Sequence, residues 1–172
     1  IKVTKNELQG GSVVCYVQHQ NGPYKIEDSV NEIIEEENIL QLDNANTIIN
    51  FNNGLQNYKV EINRILDDLL SNGKKIAGFG SSISATTFLN YFDIANKIEF
   101  IVDDNEMKHF KFTPQHRIEV LPTKYIYDRE SDYLIIFAWE HNDKIIEKHK
   151  KLLGVNKGFI TLFPTINVIN KA

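Results

Sequence analysis

Two glycines and a crowd of hydroxyls stand where an apolar stretch gives way to a helical one, in Lys74-Lys-Ile-Ala-Gly-Phe-Gly-Ser-Ser-Ile-Ser-Ala-Thr-Thr-Phe-Leu-Asn-Tyr-Phe92. A buried strand that breaks on Gly78 and Gly80 straight into a helix has the architecture of a phosphate-binding turn. Glycine lets the backbone turn sharply and approach a ligand, and the free N–H groups of the following helix point at any anion held there. Ser81, Ser82, Ser84, Thr86 and Thr87 add hydroxyls that cap a helix or donate to a phosphate. About 20 residues on, where a ribose-binding acid is expected, Asp103 and Asp104 follow the apolar run Ile98-Glu-Phe-Ile-Val102. Asp103 is placed to accept from a ribose or sugar hydroxyl, while Asp104 and Asn105 fit that role or a turn that satisfies its own backbone. The same pattern describes an ordinary strand-turn-helix corner, and Ile83 stands where a dinucleotide fingerprint has its third glycine, which counts against nicotinamide or flavin dinucleotides.

Further polar groups gather after other strands. Lys108, His109, Lys111, His116 and Arg117 make one loop basic within an acidic chain, as counter-charge for a diphosphate or as solvated loop charges. Trp139-Glu-His141 follows the strongest strand, 133–138, so a carboxylate and an imidazole are available for acid-base work or simply open a helix beside a partly buried aromatic. His109, His116 and the nearby aspartates lack metal-ligand spacing, so no metal is expected. No nucleophile elbow, zinc motif, Walker lysine or methyl-donor glycine motif is present, and the residues read as a binding module rather than a complete catalytic set.

These groups must be held by an α/β framework. Residues 11–19 read as a strand and Gly22-Pro23 as a turn, followed by helices over 26–42 and 44–72. The second helix carries an apolar stripe of Ile48, Phe51, Leu55, Tyr58, Ile62, Ile65, Leu66 and Leu69, closed by Gly73. Beyond it come strand 75–79, helix 82–92, strand 98–102, a stretch with Pro114 and Pro122, strands at 118–120 and 133–138, helix 141–153 and strand 158–163. This alternation predicts a Rossmann-like, mostly parallel sheet flanked by helices over 74–172, with an N-terminal strand and long helical extension over 1–73. A ligand is expected outside the strands' carboxyl ends where strand order reverses, at the glycine turn.

With 172 residues, 42% of them hydrophobic, the chain has enough apolar material for one core plus an extension. No apolar run approaches the roughly 20 residues that span a bilayer, so a soluble cytoplasmic protein without membrane contact is expected. The net charge of −4 and the acidic segment from Glu27 to Glu37 argue against nucleic-acid binding. Cys15, the single cysteine, lies in the alternating run Ser12–Val17 and reads as a small core residue. The chain opens on Ile1 rather than methionine and reads as part of something longer.

In order, Gly10-Gly11-Ser12, a long helix, Gly78-Phe-Gly-Ser-Ser82, Leu89-Asn-Tyr-Phe92, Val102-Asp-Asp-Asn105 with Lys108, Phe112-Thr-Pro114, Ala138-Trp139 and Phe163-Pro164 resemble the C-terminal domain of the sugar C-methyltransferases. Those enzymes use S-adenosylmethionine on nucleotide-linked deoxysugars. The resemblance implies that the methyl donor, and the tyrosine, glutamate and histidine tied to sugar deprotonation, belong to an upstream methyltransferase domain of the same chain. This part would then hold no cofactor and no catalytic residue of its own. It would position the nucleotide-linked sugar through Gly78, Gly80, Ser81, Ser82, Ser84, Asp103, Asn105, Lys108 and Trp139. Two other readings stand beside it: a stand-alone regulatory or scaffold module that senses a nucleotide or merely forms a homodimer through helix 44–72, and an NAD-dependent oxidoreductase fragment.

Overall fold

The computed structural model describes residues 1–154 and 156–171, leaving aside the side chain of Gln9. The chain forms two compact units, Ile1–Gln56 and Asn57–Ala172.

The first unit is an antiparallel hairpin and helical segments. Strand β1 (Lys2–Asn6) pairs with β2 (Ser12–Tyr16), Val3 lying opposite Cys15. Gly10 and Gly11 make the connection, with φ of 80° and 121° in the region that favours glycine. Helix α1 (Asp28–Ile39) packs on β1: the Val3 N–H donates to Ser29 Oγ at 3.1 Å, and Lys2 and Lys5 pair with Glu27 and Glu36. Helix α2 (Ala45–Ser71) starts in this unit, where the Asn44 side-chain oxygen accepts from the Asn46 N–H at 2.9 Å. Among the described residues, no apolar side chain of Ile1–Gln56 is buried. Cys15, expected in a core, is exposed here. The stripe of α2 divides accordingly, with Ile48 and Phe51 exposed and Ile62 and Leu66 buried. Gly73 ends the helix at φ 72°, its N–H donating to the Leu70 carbonyl.

In the second unit, β3 (Ile76–Phe79), α3 (Ile83–Tyr91), β4 (Ile101–Asp103), β5 (Lys111–Phe112), β6 (Glu119–Pro122), α4 (Tyr125–Asp128), β7 (Tyr133–Ile136), α5 (Asn142–Lys148), β8 (Gly158–Thr161) and β9 (Asn167–Asn170) follow in sequence. One seven-stranded sheet holds them in the order β5-β6-β4-β3-β7-β8-β9. The central five strands are parallel, and β5 and β9 add antiparallel edges. Strands β3, β7 and β8 are buried at every position, which their unbroken apolar runs require in a sheet covered on both faces. Alternate residues feed two layers. Ile76, Ile101, Ile135 and Ile160 pack with Ile62, Leu66, Phe88 and Phe137 on one side, and Ala77, Val102, Leu134 and Phe159 pack with Phe100, Ile126 and Ile145 on the other.

The α/β class and the mostly parallel sheet agree with the sequence reading. The two antiparallel edge strands escaped it, because Lys111-Phe112 is too short to show alternation and Asn167-Val-Ile-Asn170 is polar at both ends. The helix expected over 141–153 breaks into 3-10 turns at Trp139–His141 and Lys150–Leu152 around a seven-residue α5. Among the described residues, no helix is long and apolar enough to cross a membrane.

Candidate functional site

The chain leaves β3 toward β4 on one side and later places β7 on the other, so strand order reverses at β3. Outside the carboxyl ends of those two strands a cleft of about 180 Å³ opens, lined by Ser82, Ser84, Ala138, Trp139, Glu140 and His141. This is the position at which open α/β sheets receive ligands.

Gly80 makes the turn. Its φ is 92°, and a Cβ there would lie 2.9 Å from Ala138 Cβ, so glycine is required both by conformation and by the close passage of the segment after β7. Gly78 has a different duty from the one its motif suggests. It lies within β3, and a Cβ would come 2.6 Å from the Phe137 ring and 2.9 Å from Ile101 Cγ1. Its missing side chain is filled by the core rather than left open for a ligand.

Ser82 is the N-cap of α3, its hydroxyl accepting from the Ala85 N–H at 3.2 Å. The Ser82 and Ser84 hydroxyls lie 2.7 Å apart, and Ser84 also donates to the Phe137 carbonyl at 3.3 Å. No side-chain hydrogen bond ties Ser81 Oγ among the described residues. The N–H groups of Ile83 and Ser84 belong to the first helical turn, where no intrahelical acceptor exists. The turn therefore offers unpaired N–H donors, a free hydroxyl and the positive end of a nine-residue helix toward the cleft.

Asp103 organises the back of this turn. Its side chain is buried; Oδ2 accepts from the Ser81 N–H and from Lys108 Nζ, each at 2.8 Å, and Oδ1 accepts from the Asn105 N–H at 2.8 Å. Lys108 Nζ donates in addition to the Ser81 carbonyl at 2.8 Å, and the Asn105 side chain caps the 3-10 turn Glu106–Lys108 by accepting from the Met107 N–H at 3.0 Å. Asp103, Asn105 and Lys108 thus meet at the glycine turn, where three protein donors reach the Asp103 carboxylate and fasten the turn.

The rest of the basic loop is largely committed as well. His109 Nε2 lies 2.7 Å from the Asp103 carbonyl oxygen, His116 Nε2 lies 2.8 Å from Asn90 Oδ1, and Arg117 stands over the Phe112 ring. Trp139 is half-buried, its ring 5.5 Å from that of Phe163, and Glu140 and His141 are exposed in the turn that leads into α5. Among the described residues, no three His, Cys, Asp or Glu side chains gather closely enough to hold a metal.

A larger cavity, about 460 Å³, lies near the other end of α3, lined by Lys59, Asn63, Asp93, Ala95, Asn96, Lys97 and His116. Its cations are engaged, Lys59 with Asp93 and Lys97 with Asp67, and it is remote from the switch point. Sequence reasoning missed a third cluster, just past the ends of β4 and β6. There Asp104 is bonded by Lys148 at 2.7 Å and Thr123 at 2.6 Å, and Nδ1 of buried His149 lies 2.9 Å from the Tyr127 hydroxyl. Partial burial works against the Asp104 charge, but the bonds from Lys148 and Thr123 outweigh it and hold the carboxyl below its ordinary range. Burial first, and the Lys148 charge second, push the His149 imidazole down.

Comparison with known proteins places the chain further. A family model described as the C-methyltransferase C-terminal domain matches residues 7–164. The chain is also similar to the C-methyltransferase NovU of Streptomyces niveus, with 23% identity over 171 residues that cover 99% of this chain and 41% of the relative. It spans about two fifths of the length of that curated relative.

Proposed function

The chain belongs to the C-methyltransferase C-terminal domain family, and from that premise we propose that it positions a nucleotide-linked sugar for methylation on carbon. The observation that carries this reading is the cleft at the β3/β7 reversal, where a glycine turn, a serine-capped helix N-terminus and an aromatic ring converge. The N–H groups of the first turn of α3, with Gly80, Ser81, Ser82 and Ser84, hold the diphosphate. Trp139 supplies an apolar plane for the base or the sugar ring. Asp103, Asn105 and Lys108 keep the turn in the shape that receives it, and Gly78 keeps β3 close to Phe137. The unit is Rossmann-like in this reading, its central parallel strands running β6-β4-β3-β7-β8.

S-adenosylmethionine is the methyl donor of the parent enzyme and binds in the part that lies upstream. Support comes from Asp103: an adenosine ribose at this switch point needs an acid free to accept two hydroxyls, and this one already meets Ser81, Lys108 and Asn105. In the parent, a base would take the proton beside the sugar's keto group, and the resulting carbanion would form the new C–CH3 bond as the donor's S–CH3 bond breaks and S-adenosylhomocysteine leaves. The base belongs to the upstream part, and the present chain holds and orients the sugar nucleotide.

Trp139, the single tryptophan, lines the cleft and reports on it directly. Titration with thymidine and uridine diphosphates is expected to change its fluorescence saturably, with S-adenosylmethionine and NAD silent. A response to S-adenosylmethionine or NAD, with none to either diphosphate, overturns the assignment.

A further inference from the structure

The hairpin β1–β2 carries an apolar load that the described residues of its own unit leave open. In β2 consecutive residues are apolar, Val13, Val14, Cys15 and Tyr16, with Val17 just beyond, so apolar side chains point to both faces of the strand. Both faces are open: Val13 is 52% exposed, Val14 42% and Tyr16 48%. A strand that is apolar on both faces has the composition of one buried between two layers.

The edges of the hairpin differ. On the β1 side, the segment that enters α1 takes the outward backbone groups, the Val3 N–H going to Ser29 Oγ and the Ile1 carbonyl to the Glu27 N–H. Because Val3 faces away from its partner strand, Cys15 opposite it also presents its backbone groups outward, and Val13 shares that direction two residues away. Among the described residues, no backbone bond outside the hairpin reaches Val13 or Cys15. An open, apolar strand edge is a template for a further strand.

We infer that this hairpin is built into the sheet of the part of the methyltransferase that lies outside this chain, which pairs with the open edge of β2 and covers both of its faces. The inference rests on the chain being one domain of a longer C-methyltransferase, as its family and its 41% share of the relative indicate. Edge-to-edge pairing with a second copy satisfies the backbone groups but leaves both faces of β2 in water. Insertion into a sheet with helices on either side covers edge and faces together, and more than half of the relative's length is there to supply it.

Cys15 is the probe, since it lies within β2 and is the only cysteine in the chain. The experiment uses the full-length enzyme without mutation. Alkylation of Cys15 by iodoacetamide is followed by mass spectrometry of its peptide, with hydrogen exchange at Val13, Cys15 and Val17 in parallel. Labelling on the order of 100-fold slower than in urea-unfolded enzyme, with protected amides and no dependence on enzyme concentration, is expected. Labelling at the unfolded rate overturns the inference, as does protection lost on dilution, which assigns β2 to a second copy. The Trp139 titration is an independent readout, so failure of the sugar-nucleotide reading leaves this result interpretable.

Discussion

Replacing Asp103 by asparagine tests whether this carboxylate fastens the glycine turn or waits for a sugar. Asparagine keeps the shape but offers one acceptor oxygen where the native residue uses two, for Ser81 and Lys108 on Oδ2 and Asn105 on Oδ1. The less costly orientation turns the amide nitrogen toward the Asn105 N–H, which loses a charge-assisted bond of about 1.5–3 kcal/mol. The Ser81 bond becomes neutral and weakens by roughly half. The Lys108 pair adds at most ~1 kcal/mol, because its lysine side chain is 38% exposed. Together these give a destabilisation of about 2–4 kcal/mol, or a fall in Tm of about 5–15 °C for a chain of this size. Thermal unfolding followed by Trp139 fluorescence reads it, since Trp139 belongs to the same unit. A variant that melts within about 1 °C of the parent refutes the fastening role and returns Asp103 to the pool of free sugar acceptors.

Gly80→Ala is expected to cost about 1–3 kcal/mol in urea unfolding, from the φ of 92° and the 2.9 Å approach to Ala138 Cβ. Pairing it with Ala138→Gly should recover the steric share and leave the conformational share. Ser82→Ala removes the cap on α3, a loss of about 1 kcal/mol by the same measurement; a drop in diphosphate affinity of about tenfold or more beyond that marks ligand contact. Tyr58→Phe strips the hydroxyl that donates to the Leu162 carbonyl and should cost about 1–2 kcal/mol while the ring contacts with Phe92 and Phe163 persist. His149 has a folded pKa below its unfolded value of about 6.5, so its neutral form supports the fold: that contribution is complete above pH ~6.5 and is lost as pH falls through the lower folded value. His149→Gln should flatten the Tm profile below pH ~6.5, and an unchanged slope assigns the acid sensitivity elsewhere.

The second unit was legible because its signals are local and agree with one another. Ile76–Phe79, Tyr133–Ile136 and Gly158–Thr161 are short apolar runs between helical stretches, and a parallel sheet is the arrangement that buries both faces of each. The glycine turn was legible as a place, since its spacing and the strand order put it at the reversal. What each residue does there was less so. Gly78 and Gly80 share one motif, yet one serves the packing of Phe137 and the other the turn, because only the register with β4 and β7 decides which glycine has a neighbour against its missing side chain. Asp103 has the sequence position of a ribose acid, and the fold gives its oxygens to Ser81, Asn105 and Lys108, two of them within five residues of it in sequence. The spacing was visible; the competition among donors was not.

The hairpin reverses this relation between pattern and structure. From sequence, Ser12–Val17 has the composition of a buried strand and Cys15 that of a core residue, whereas in the isolated chain the strand is exposed on both faces. Tertiary burial cannot explain a pattern that the tertiary structure does not use. The apolar stripe of α2 makes the same point: Ile62 and Leu66 are spent on the core, while Ile48, Ile49 and Phe51 on the same helix meet solvent. Selection for a lone module works against carrying exposed valines on an open strand edge, since such an edge recruits other strands. A surface that is costly for the piece is ordinary for a seam, and the first 56 residues, with no buried apolar side chain among those described, have the character of a seam throughout. On this argument the covered state of β2 is the one its sequence encodes, and the reactivity of a single cysteine distinguishes it from the exposed one.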